Sequence, residues 1–352
     1  MKKKNFLESR RYLKRLCILL TLLVAVVFLA SIVYFRYKIR ESAELVDSLE
    51  YNTYDRYYAL ITDERKDLFW ENVYEGALER GKSSGAYVEM FGENLSVDYD
   101  KARLMEVAIN AGVDGIIVEA DESAHMKELI RRADEAGIPV VTALFDNPES
   151  LRQSYIGINS YNLGREYGGQ ICEIVQKKGK DGCRVLVLLD SGKQNGVRNI
   201  LISAMQEMIQ AKGLDKEVVV ETAQIESGSM FAAEEAIRDI FMQSVELPDI
   251  IVCLNEQNTT CVYQTVVDYN KVGQVEIVGY YESATILGAI EKEIIYATIS
   301  IDANQMGQYC VDALDEYIQN GRVSDYYDVD SSLINARSLA ALEKGGTDEK
   351  DK

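Results

Sequence analysis

Few side chains in this sequence are placed to break or make bonds. His125 is the only histidine. It falls in ESAHMKELIRR, a charged helical pattern in which the ring faces solvent. A zinc centre built on several histidines and a His-dependent triad therefore lack their parts. Cys172, Cys183, Cys253, Cys261 and Cys310 sit in apolar helix or strand patterns, and no C-x-x-C pair occurs. They read as small buried hydrophobes rather than as a disulfide frame. There is no G-x-G-x-x-G after a strand, no P-loop and no G-x-S-x-G. Carboxylates are plentiful, but on the helical stretches they alternate with Lys and Arg, the pattern of solvated faces. The expectation is a protein that is not an enzyme and that needs no cofactor and no metal.

What remains is the chemistry of recognition. In TDERKDLFWENVYEGA, Phe69 and Trp70 stand side by side at a helix start, next to Arg65, Lys66 and Asp67. Neighbouring helical side chains diverge by about 100°. One ring is thus expected in the core with Tyr74 and Ala77, leaving the other for a cleft. In CLNEQNTT, four polar residues follow an apolar run: Asn255, Glu256, Gln257 and Asn258. A helix cap uses one or two of them. In GIPVVTALFDN, the run ends in Leu144-Phe145 before the first carboxylate, Asp146. The carboxyl end of a strand in a parallel sheet is where ligands are usually read, and here it presents hydrocarbon.

These residues must be positioned by an alternating series of strands and helices. Strand-like runs are YYALIT (57–62), AYVEMF (86–91), GIIVEA (115–120), PVVTALF (139–145) and SYIGIN (154–159). They continue with RVLVLLD (184–190), VVVETAQI (218–225), DIIVCL (249–254), EIVGYY (276–281) and ATISID (297–302). Nearly continuous apolar runs indicate strands buried on both faces of a parallel sheet. Between them, Leu104, Val107, Ala108 and Ala111 keep helical spacing, as do Met126, Leu129, Ile130 and Ala133, and Ile202, Met205, Met208 and Ile209. Gly112, Gly137 and Gly213 stand where helices end. About ten strands are too many for one small sheet. GIIVEA…IPVVTALF and DIIVCL…EIVGYY repeat one strand–helix–strand unit, so the α/β chain is expected to form two doubly wound lobes.

The chain has 352 residues, 47% of them hydrophobic, enough for two packed lobes. Residues 16–35, LCILLTLLVAVVFLASIVYF, carry no charge. As a helix they would span roughly 30 Å, the thickness of a bilayer core. Lys2, Lys3, Lys4, Arg10, Arg11, Lys14 and Arg15 precede them, against Glu8 alone. The positive-inside rule puts residues 1–15 in the cytoplasm and the binding region outside the cell. A cleaved signal peptide would have a shorter apolar core and a small-x-small site, whereas Ala30-Ser31 is the only small pair. The expectation is an uncleaved transmembrane helix at 16–35, a linker at 36–54 and a disordered tail at 339–352. Beyond residue 40 the chain holds 28 basic and 56 acidic side chains, a net charge of −28. Such a surface repels nucleic acid, so no nucleic-acid partner is expected.

The order YYALIT…FWENVYEGA, GVDGIIVEA, AGIPVVTAL, SYIGINSYNLGREYG, IIVCLNEQ, IVGYYES, YATISIDANQMGQ resembles the type I periplasmic sugar-binding proteins, the ribose- and galactose-binding group, over about residues 55–335. The same core occurs in LacI-type repressors, which carry a DNA-binding head where this chain has an apolar segment. The resemblance implies two Rossmann-like lobes with parallel sheets joined by a three-crossing hinge, with a ligand between them. The lobes would be 55–158 with 303–322, and 159–302 with 323–338, crossing near Asn159–Ser160, near Asp302 and near residue 323. It implies that Phe69 and Trp70 sandwich a sugar ring and that Asn255 and Arg198 bind it. Asp67 stands where an asparagine is usual. Leu144 and Tyr281 stand where the family commonly has hydroxyl-binding aspartates, and Ile301 where it has a glutamine. Either the cleft takes a less polar ligand, or Asp146, Glu282 and Asp302 serve one or two residues away, or binding has been lost. The implied function is a membrane-anchored receptor that closes on a small carbohydrate-like ligand for uptake by an ABC permease. The alternative is a sensory module that reports occupancy to a membrane partner such as a histidine kinase.

Overall fold

The computed structural model describes residues 54–95, 97–179, 182–190, 195–225, 230–243 and 246–340. The expected cytoplasmic segment, transmembrane helix and most of the linker lie outside the described residues. Among those described, no helix is long and apolar enough to cross a membrane. Tyr54–Lys352 forms a compact unit.

In this unit strands and helices alternate: β1 (Arg56–Ile61), α1 (Leu68–Ser84), β2 (Ala86–Met90), α2 (Lys101–Ala111), β3 (Gly115–Val118), α3 (Ala124–Glu135), β4 (Val140–Ala143) and β5 (Ser154–Gly157). After α4 (Ser160–Lys178) come β6 (Cys183–Asp190), α5 (Asn195–Ala211), β7 (Val218–Ile225), α6 (Met230–Gln243), β8 (Ile250–Cys253) and α7 (Glu256–Asp268). The chain ends through β9 (Glu276–Tyr280), α8 (Ala284–Glu291), β10 (Ala297–Ile301), α9 (Ala303–Asn320), β11 (Tyr326–Asp328) and β12 (Ser331–Asn335). All ten apolar runs are strands.

Two sheets result, ordered β11-β5-β4-β3-β1-β2 and β12-β10-β9-β8-β6-β7. Every pairing is parallel except β10 with β12. Alternation along each strand feeds two cores. Tyr58 and Leu60 of β1 join α1 and α9, while Ala59 and Ile61 join α2 and α3 on the other face. In the second sheet Val185 and Val187 join α4 and α5, and Leu188 joins α6, α7 and α8. Burial on both faces is why these runs read as unbroken apolar stretches. The five cysteines beyond the N-terminal segment are buried, and His125 is exposed on α3.

One lobe boundary differs from expectation. Residues 323–338 do not all return to the second lobe. Tyr326–Asp328 pairs with β5 of the first sheet, Tyr326 opposite Tyr155, and the two rings lie 5.5 Å apart. The last crossing therefore falls between Asp328 and Ser331. The crossings are tied together: Val329 N–H donates to Gly157 O at 2.8 Å and Asp302 N–H to Asp330 O at 3.0 Å. Gln305 exchanges two bonds with Asp330, at 2.7 and 2.8 Å. Of the expected disordered tail at 339–352, residues 339 and 340 are helical and the remainder lies outside the described residues.

Helix α9 brings the chain back from the second lobe and lies against α1. The approach is close enough that a Cβ on Gly307 would run into the Val73 carbonyl, and one on Gly76 into that of Asn304. These glycines fix the height of α1 and, through it, of the aromatic pair at its start.

Candidate functional site

Strands of both sheets end on a common cleft of about 160 Å3. The first lobe supplies Glu64, Asp67, Phe69 and Trp70 from the β1–α1 turn, and Leu144 with Phe145 after β4. The second supplies Asp190 at the end of β6, Arg198 on α5, Asn255, Glu256 and Gln257 before and at the start of α7, and Tyr280 at the end of β9. Tyr155, Ile158, Leu163, Leu189, Leu201 and Leu254 complete a floor richer in hydrocarbon than in polar atoms.

Asp67 caps α1, accepting from Phe69 N–H at 2.9 Å, which turns the helix so that its first residues meet the cleft. Phe69 and Trp70 do not divide between core and cleft as expected. Both are buried, at 4% and 1% exposure, and both line the cavity. At the lobe edge core and cleft are continuous, and the rings pack edge to face, 5.7 Å apart at 87°. Burial pushes the Asp67 carboxyl up to about 6, reinforced by Glu64 and, from the opposite lobe, Glu256. Backbone N–H groups of Phe69 and Trp70 offset part of the rise.

Across the cleft, Asn255 caps α7 through Asn258 N–H at 2.6 Å and donates from Nδ2 to Asp190 Oδ1 at 2.6 Å. Asn258 Nδ2 reaches the same oxygen at 3.2 Å. Arg198 Nη2 donates to Asp190 O at 2.7 Å. The polar cluster in CLNEQNTT thus divides its labour: Asn255 caps, Asn258 braces Asp190, and Glu256 and Gln257 face the cleft. Gln257 Nε2 is a buried donor with no partner among the described residues, a condition that folded proteins seldom leave unanswered.

Two expected ligand carboxylates are engaged elsewhere. Asp146 is turned away from the cleft. It accepts from Arg152 Nε at 2.6 Å and Nη2 at 2.8 Å, from Thr142 Oγ1 at 2.7 Å and from Asn147 N–H at 2.8 Å. A bidentate guanidinium pair of this kind fixes the loop between β4 and β5. Asp302 caps α9 through Gln305 N–H at 2.8 Å. With Glu282 and Ile301 it opens on a second, hinge-side chamber.

Leu144 and Tyr281 follow β4 and β9, equivalent strands of the two lobes, and share a feature that composition hides. Both have left-handed backbones, φ 64° and 72°. The N–H of each donates to the neighbouring strand, at Ile156 O and Ile299 O, both 2.9 Å. The carbonyl of each accepts a hydroxyl, from Tyr155 at 3.0 Å and Thr298 at 2.7 Å. This conformation costs a side chain bearing Cβ roughly 1–2 kcal/mol, and Asp or Asn bears it best. The kink also decides orientation: Leu144 lines the cleft, whereas in the second lobe it is Tyr280, the last residue of β9, that does so. Tyr281 lies behind, on the hinge-side chamber. Burial pushes its phenol up to about 12, so it stays protonated.

Asp190 and Tyr280 line the cleft without having been expected there. Asp190 had a visible signal, being the first carboxylate after RVLVLL. Tyr280 had none, because only the backbone kink separates it from Tyr281.

The periplasmic binding protein domain family matches residues 58–322. Among solved structures, a glucose-galactose binding protein of Geobacillus stearothermophilus, GanP, superposes with a TM-score of 0.70 at 19% identity, covering 81% of this chain and 98% of its own. An ABC transporter solute-binding protein of Burkholderia graminis in complex with D-arabinose gives 0.70 at 17%, covering 82% and 97%. XylFII gives 0.67 at 25%, covering 80% and 98%. It is also solved in a complex with LytSN. No curated protein sequence matches the chain. With three quarters of its length matched and two parallel-sheet lobes closing on one cleft, the chain belongs to the periplasmic binding protein family, with the fold of its type I sugar-binding members.

Proposed function

We propose that this protein is a receptor for a small carbohydrate-like ligand with an apolar face, bound between the lobes. The observation that carries this is one cavity shared by the Phe69–Trp70 pair of one lobe and the unpartnered Gln257 amide of the other. Aromatic rings stack on the hydrocarbon face of a ring, and an unpaired amide donor calls for an acceptor oxygen. Leu144 on the cleft wall lowers the number of hydroxyl partners, so a densely hydroxylated hexose is disfavoured. Binding rather than catalysis is assigned because, of the lining acids, Asp67 caps α1 and Asp190 is braced by two amides, and the sole histidine is exposed on α3.

In this reading residues 16–35 anchor the receptor in a cell membrane with the cleft outside. Two readings of the partner have support. Uptake through an ABC permease is favoured by the likeness to the D-arabinose-bound transporter component. Signalling to a membrane protein such as a histidine kinase is favoured by XylFII, the more similar in sequence, which forms a complex with LytSN. We adopt the second, since a fixed anchor suits a stationary sensor better than a carrier.

The test is a thermal-shift screen of the purified protein against pentoses, hexoses, deoxy sugars, polyols and nucleosides, followed by Trp70 fluorescence titration of any hit. A ligand at 100 times its Kd stabilises by about 2.7 kcal/mol. A screen in which no compound shifts the melt, or a hit that leaves Trp70 emission unchanged, overturns the reading. Co-purification with a kinase or with a permease decides between the partners.

A further inference from the structure

Tyr281 follows β9 of the second lobe, yet its side chain lies against the first. Asn72 Nδ2 donates to its hydroxyl oxygen. Its ring meets Phe69 edge-on, 5.5 Å apart at 75°. Phe69 and Asn72 both belong to α1. The left-handed backbone, held by Ile299 O and the Thr298 hydroxyl, aims the ring across the gap, where it is 2% exposed.

A chamber lies on each side of this contact. Phe69 and Tyr280 line the apolar cleft. Tyr281 lines the hinge-side chamber, about 280 Å3, together with Asn72, Ser300, Asp302, Asn304 and Asp330. The rings of Tyr280 and Tyr281 are 6.4 Å apart. Phe69, Tyr280 and Tyr281 thus form a continuous aromatic wall. The cleft side is richer in hydrocarbon; the other is lined mainly by hydroxyl, amide and carboxylate groups.

We propose that Tyr281 is a specificity-determining partition: its ring, anchored on Asn72, confines the ligand to the apolar chamber and bars a second ring or hydroxylated arm from the hinge-side chamber. The role rests on the reading of the cleft as a site for a carbohydrate-like ligand. It predicts that a compact single-ring ligand is accepted and its two-ring extension refused.

The test uses the full chain with two variants. Tyr281→Asn removes the ring and keeps a residue suited to a left-handed backbone. Tyr281→Phe keeps the ring but frees it from Asn72. Acrylamide quenching of Trp70, the only tryptophan and 1% exposed, reads the wall without any ligand. Titrations with D-xylose and xylobiose, and with D-galactose and lactose, read specificity. Tyr281→Asn is expected to raise quenching severalfold and the disaccharide-to-monosaccharide affinity ratio by about tenfold or more, the scale on which a pocket contact discriminates. Tyr281→Phe shifts both the same way by less. Should Tyr281→Asn fail to fold, Tyr281→Phe alone decides. Unchanged quenching and an unchanged ratio overturn the partition while wild-type monosaccharide binding leaves the functional reading standing. Binding of none of the four sugars by any of the proteins overturns the partition, and it overturns the functional reading only where the wider screen also finds no ligand.

Discussion

Replacing Asp146 with alanine separates a structural carboxylate from a ligand-binding one. Its side chain is 11% exposed and that of its partner Arg152 is 9% exposed. The two share bonds of 2.6 and 2.8 Å. Removing one member of a buried pair strands the other, at a cost of about 3–5 kcal/mol. Arg152 keeps Asp325 at 2.6 Å, but that carboxylate is 85% exposed and screened, so it recovers little. A loss near the lower bound, about 3 kcal/mol, is expected. For roughly 300 residues unfolding together at ~2.1 cal/mol/K per residue, this lowers Tm by about 5 °C. Ligand affinity should change by less than about twofold, because the carboxylate faces away from the cleft. The double change Asp146→Leu with Arg152→Met removes both charges and should recover most of the loss. Urea denaturation gives the stability and Trp70 fluorescence the affinity. A single-variant loss under about 1 kcal/mol, or a fall in affinity with stability intact, would refute the structural assignment.

Three further outcomes are expected. The folded Asp67 carboxyl titrates near 6 rather than at its ordinary value of 3.8, so the folded state binds the proton more tightly than the unfolded one. That contribution is fully present below pH 4 and lost as pH rises through 6; Asp67→Asn, which keeps the cap, should flatten this part of a plot of Tm against pH, and superimposable curves would count against it. Gly307→Ala drives a methyl into the Val73 carbonyl and should cost about 1–3 kcal/mol by overpacking, measured by thermal denaturation; a neutral result would mean that α1 and α9 separate freely. Burial raises the thiols of Cys172, Cys253, Cys261 and Cys310, so these four should resist a thiol reagent such as DTNB in the native protein and react on unfolding. Fast native labelling of any of them would contradict their place in the core.

The sequence by itself determined whatever local periodicity controls. Ten apolar runs became ten strands; those inside the sheets are buried on both faces, which leaves an unbroken hydrophobic stretch, while the edge strands β2 and β7 expose one face. Helix starts were legible at Asp67 and Asn255, since a short polar side chain before an apolar pattern satisfies the first free N–H groups. Phe69, Trp70, Leu144 and Asn255 stood after strands in that order of elements, whereas Arg198 came only from the family resemblance; all five line the cleft. The tertiary structure decided what depends on partners. Tyr326–Asp328 and Ser331–Asn335 are short, partly exposed strands, and only their pairing with β5 and β10 assigns them to opposite lobes. Asp146 and Asp190 are both the first carboxylate to follow an apolar run, but a guanidinium takes one inward and two amides hold the other at the cleft. Tyr280 and Tyr281 are adjacent and chemically identical. A left-handed kink, held by a carbonyl and a hydroxyl of β10, is what turns one toward the cleft and the other across the lobes, and bonds between distant segments leave no period in a sequence.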